Sequence, residues 1–69
     1  MLKLNVAYYV VASFTATMTS DGSAIRFLPG ESVNLRTDEA GIVVFESGRG
    51  ACECSYETFR FATMKLLRG

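Results

Sequence analysis

Leu2-Lys3-Leu4-Asn5-Val6-Ala7-Tyr8-Tyr9-Val10-Val11-Ala12-Ser13-Phe14-Thr15-Ala16-Thr17-Met18 opens the chain, and every even position in it is apolar. The odd positions are mostly polar: Lys3, Asn5, Ser13, Thr15 and Thr17. A period of two is the pattern of a strand with one buried face. At about 3.3 Å per residue this run laid straight would span on the order of 55 Å. A compact domain of this size has a radius of gyration of roughly 11 Å and a diameter of about 30 Å. The run must therefore bend, break at a bulge or leave the domain, and the small residues Ala12 and Ser13 are where a bend is expected.

Outward from that run, turn residues recur at short intervals: Asp21-Gly22, Pro29-Gly30, Asp38 to Gly41 and Gly48 to Gly50. Short strands between such turns predict a small sandwich or barrel. A two-residue turn at Asp21-Gly22 sets Met18 against Ile25 and Ala16 against Phe27. Val33 and Leu35 continue the inner face, with Asn34 and Arg36 outside. A turn at Gly48-Arg49 sets Cys52 against Phe45 and Cys54 against Val43. A three-residue loop closing at Gly41 pairs Phe45 with Leu35. Tyr56 continues the inward parity of Cys52 and Cys54. The tail from Thr58 reads both ways, with Phe59-Arg60-Phe61 favouring a short strand and Ala62 to Leu67 a helical turn or a last edge strand. The expected fold is all-β: one domain over 1–69, a strongly curved antiparallel meander of five or six strands, with a short C-terminal helical turn as an option.

The stretch Phe27-Leu28-Pro29-Gly30-Glu31-Ser32-Val33-Asn34-Leu35, followed by Gly41-Ile42-Val43-Val44-Phe45, resembles the pattern of SH3-like barrels. Those carry a Pro-Gly-Asp/Glu turn into a strand and a Gly-Ile/Val-Val strand after a short hairpin. The resemblance implies an SH3-like barrel and nothing further, since the aromatic peptide groove of signalling SH3 domains has no counterpart here.

Composition narrows the functional classes. The chain has 69 residues, enough for one thin domain that gains from oligomerisation. Its hydrophobic content of 49% argues against disorder. Two Cys and no His fall short of a structural zinc site, so no metal or cofactor is expected. Cys52 and Cys54 share a strand face and read as core thiols. Six serines stand without a histidine base. The acids Asp38-Glu39 and Glu53, Glu57 read as turn and solvated strand charges, and Gly48-Arg49-Gly50 matches no phosphate-loop spacing. A non-enzyme is expected. The apolar part of the first run alternates, unlike a signal peptide, and no apolar run is long enough for a transmembrane helix. A cytoplasmic protein without membrane attachment is the expectation, which two reduced thiols fit.

Two surfaces remain. Ala7, Tyr9 and Val11 interrupt the polar register of the first run and mark an apolar outer patch, a candidate protein interface. The tail, through Phe59 or Leu66, is the alternative cover for it. Between Leu4 and Met18 there is no charge, so an exposed edge there would invite pairing with a second copy. A homodimer and a protein partner are expected, in the manner of accessory or inhibitor proteins encoded by mobile elements. The alternative is a small nucleic-acid-binding regulator using Arg26, Arg36, Arg49 and Arg60 with nearby aromatics. The zero net charge weighs against that reading.

Overall fold

The computed structural model describes residues 2–65. Among these residues seven strands form one antiparallel sheet: β1 (Ala7–Val10), β2 (Phe14–Met18), β3 (Ala24–Phe27), β4 (Ser32–Glu39), β5 (Ile42–Ser47), β6 (Gly50–Ser55) and β7 (Thr63–Lys65). A helix, α1 (Tyr56–Ala62), precedes β7. The sheet curls into a half-barrel. Its order, β3-β2-β6-β5-β4-β1-β7, is more crossed than a plain meander. Among the described residues no helix is long and apolar enough to cross a membrane.

The opening run breaks in two where geometry requires. The longest dimension is 37 Å, too short for the straight strand, and the chain turns at Val11-Ala12-Ser13. One carbonyl pins the corner: that of Ala62 accepts from the N–H groups of Val11 (2.8 Å) and Ala12 (3.2 Å). The two halves then serve opposite sides of the sheet. β1 lies between β4 and β7, and β2 between β3 and β6. Neither half is an edge; β3 and β7 are. The edge-pairing route expected for the first strand is therefore closed, and only its outer face remains available.

The core is the face the alternation assigns. Val10, Phe14, Phe27, Val33, Leu35, Val43, Phe45 and Cys52 are buried, and Ile25, Cys54 and Tyr56 pack against them. Five rings form a chain through it: Tyr8 to Phe59, Phe59 to Phe45, and Phe45 to both Phe14 and Phe27, with centroids 5.2–6.0 Å apart. Such contacts favour a single packing arrangement beyond area burial alone.

Two registers differ from expectation while leaving every core side chain on its face. The first hairpin closes through a longer turn, so that Phe14 opposes Phe27 and Ala16 opposes Ile25. Asp21 causes this by accepting from Ser23 N–H (2.9 Å) and Oγ (2.7 Å), an Asx-type turn. A slip of two residues preserves the pleat parity. In the second, Leu35 opposes Phe45 as expected, but the loop is two residues long, with Glu39 opposite Ile42. The extra residue sits in a bulge between Leu35 and Thr37 instead, which turns Asp38 to the side of Val43. Ala40 (φ 54°) and Gly41 (φ 80°) close the loop, the paired positive φ of a type I′ turn.

The tail inverts the expected order. Tyr56 and Glu57 begin a helix rather than extending β6, and Phe59-Arg60-Phe61 lies inside it. Ser55 caps the helix, its Oγ accepting the Thr58 N–H at 3.1 Å. On a strand Phe59 and Phe61 would share a face; on a helix they stand roughly 200° apart. Phe59 is fully buried while Phe61 is 82% exposed, and burial of Phe59 with Ala62 accounts for the helical choice. Leu66 and Leu67 lie outside the described residues.

Candidate functional site

The outer face of β1 carries the expected patch. Tyr9 and Val11 are each 43% exposed, and Ala7 is half-buried. Phe59 does not cover them, because it enters the core from the other side. Tyr9 stands between Ser32 on β4 and Met64 on β7. Its hydroxyl reaches toward the Pro29-Gly30 turn, where a methyl on Gly30 would lie 3.9 Å from it. Met64 is 60% exposed and extends the patch. Phe61, the residue before the Ala62 carbonyl that holds Val11, is the most exposed large apolar side chain described. Neither Met64 nor Phe61 is legible as a surface residue in the sequence, because both depend on how the tail folds. The Ser55 cap with Glu57 in the first turn is the local signal that would have found the helix.

The four arginines do not form one face. Arg36 bonds Glu46 Oε1 (3.2 Å) and Asn5 Oδ1 (3.3 Å). Arg26 reaches Ser13 Oγ at 3.1 Å. Arg49 lies over the Phe27 ring, 4.7 Å from its centroid, donates to the Arg26 carbonyl (3.4 Å) and pairs with Glu31. Glu31 in turn accepts the Leu28 N–H at 2.8 Å. Arg49 thus serves as a lid on the core. Arg60 alone of the four has no hydrogen bond or ion pair among the described residues. It lines a hollow with Leu2, Lys3, Tyr8, Thr63 and Lys65.

Both thiols are free. Cys52 is buried, with Sγ 3.6 Å from Met18 Sδ, and burial raises its pKa against smaller lowering effects from Ser47 and Arg49. Burial pushes the Cys54 thiol up to about 12, with Cys52 beside it adding to the rise. The reactive species is the thiolate, so both are protonated and inert near neutral pH. Among the described residues no group of three His, Cys, Asp or Glu gathers as a metal site.

Comparison of the chain with protein-family models, with curated proteins and with solved structures finds no match.

Proposed function

We propose that this chain is a non-enzymatic binding module that pairs with a second copy of itself through the outer face of β1 and β7, and so presents a β surface to a protein partner in an accessory or inhibitory role. The observation that carries it is the grouping of Tyr9 on β1, Val11 at the corner just after it and Met64 on neighbouring β7, each at least 43% exposed. Apolar area left in water forgoes roughly 25 cal/mol per Å², and a small domain gains most by recovering it. A second copy fits the patch because the patch carries no charge and the chain's net charge is zero, so two copies do not repel. A two-fold axis lets the same uncharged surface face its equal. A stable interface needs about 800 Å² per partner, which is under a fifth of the 4408 Å² surface.

Sedimentation at micromolar concentration tests this. The wild type is expected to be a dimer whose association changes little with salt, and Tyr9→Asp to be a monomer with a lower Tm. A monomeric wild type overturns the proposal. The nucleic-acid alternative is weaker, since Arg36 and Arg49 are occupied by Glu46 and Glu31. Steeply salt-dependent binding to single strands would restore it.

A further inference from the structure

The hollow between the N-terminal segment, the end of α1 and β7 has a volume of about 290 Å³. Lys3, Arg60 and Lys65 line it, from both ends of the chain and the helix between. All seven Asp and Glu residues of the chain lie among the described residues, yet none lines this hollow. Asp38 accepts the N–H of Leu2, a lining residue (3.4 Å), without joining the lining, and Glu57 lines a second hollow that it shares with Arg60. Elsewhere on this neutral chain Arg36 and Arg49 have carboxylate partners. Among the described residues three cationic side chains and no Asp or Glu line this one hollow; like charges that share a hollow repel one another, and a bound anion relieves that repulsion.

The walls are held in place without using the cations. The Tyr8 hydroxyl accepts the Lys3 N–H (3.0 Å) and donates to the Lys3 carbonyl (2.9 Å), tying the N-terminal segment down at Lys3. Tyr8 itself is buried and packs edge-on against Phe59, 5.2 Å between centroids. Thr63 Oγ1 donates to the Phe59 carbonyl at 2.6 Å, fixing the junction of α1 with β7 between Arg60 and Lys65.

We propose that this hollow is a binding site for a phosphoryl group, with Arg60, Lys65 and Lys3 supplying the charge. A phosphate monoester carries about −1.5 to −2 at neutral pH, which suits three cations better than a single carboxylate does. The guanidinium of Arg60 offers the fork that matches two phosphate oxygens. The volume lies at the small end of ligand pockets, so the occupant is free phosphate or the phosphorylated end of a small metabolite. This site is independent of the β1 face and of dimer formation.

Calorimetry and amide-shift titration of the full chain at constant ionic strength test it, using inorganic phosphate and adenosine monophosphate with chloride as the control. Kosmotropic stabilisation by phosphate is excluded by requiring saturation and localised shifts at Lys3, Tyr8 and Thr63. Saturable binding that Arg60→Gln or Lys65→Gln weakens roughly tenfold, while Arg26→Gln leaves it intact, supports the site. Equal affinity for the two probes identifies free phosphate as the source; tighter binding of the monophosphate identifies a phosphorylated metabolite. Shifts that never saturate, or that persist unchanged in folded Arg60→Gln, overturn the proposal. So does a single-stranded oligonucleotide whose binding Arg26→Gln weakens as much as Arg60→Gln, which would indicate extended backbone contact instead.

Discussion

Replacing Phe59 and Phe61 separately with alanine probes the least regular part of the fold. Phe59 is fully buried and touches the rings of Tyr8 (5.2 Å) and Phe45 (5.3 Å), whereas Phe61 is 82% exposed. Phe-to-Ala in a packed core costs about 3–5 kcal/mol. At 69 residues the whole fold is worth roughly 3–10 kcal/mol, so Phe59→Ala removes much or all of it. Phe61→Ala should stay within about 0.5 kcal/mol of wild type. Urea unfolding followed by circular dichroism and tyrosine fluorescence reads both, the chain having no Trp. If Phe59→Ala is unfolded throughout, Phe59→Leu supplies a measurable transition at a cost of about 1–2 kcal/mol. Comparable losses at the two positions would refute the helical tail, since only a strand puts both rings on one face.

Ala40 occupies the left-handed region at φ 54° before Gly41, so Ala40→Asn, which creates the Asn-Gly pair favoured in type I′ turns, should raise stability by about 0.5–1 kcal/mol in thermal melts; a loss would count against the two-residue loop. The Cys54 thiol, raised to about 12 by burial and by neighbouring Cys52, contributes stability that is complete below the unfolded thiol pKa near 9. Above that pH the unfolded chain loses its proton first, and stability falls by about 1.4 kcal/mol per pH unit toward 12. Urea midpoints between pH 8 and 10 should show this decline, and Cys54→Ala should make it shallower, leaving the part that the raised Cys52 thiol contributes; an unchanged slope in the variant would assign the decline to other groups. Tyr9→Asp should convert a dimer to a monomer by sedimentation while circular dichroism keeps the β signature.

Much of the inner face is legible from alternation alone. Val10, Phe14, Phe27, Val33, Leu35, Val43, Phe45 and Cys52 are buried because pleat parity survives any error of two residues in register. A two-residue turn at Asp21-Gly22 and the observed longer loop therefore assign the same faces, because the Asp21 turn lengthens the loop by an even number. The bulge at Arg36 is a different matter. It exchanges one loop residue for one strand residue, and nothing local distinguishes a three-residue loop from a two-residue loop plus a bulge. The tail is illegible for a related reason, since Phe59-Arg60-Phe61 satisfies both periods and only the cavity beside Tyr8 and Phe45 selects between them.

The candidate surfaces divide the same way. That Tyr9 and Val11 face outward follows from their odd positions, and the break in the opening run follows from length against diameter. Local pattern thus determined the faces, the turns and the one bend, because these depend on neighbours within a few residues. Tertiary structure alone decided that both halves of the first run are interior strands, that Arg36 and Arg49 are occupied by Glu46 and Glu31, and that Lys3, Arg60 and Lys65 line one hollow. Those outcomes depend on which distant strands meet when the sheet curls, and strand order is set by the closing of the whole core rather than by any single segment.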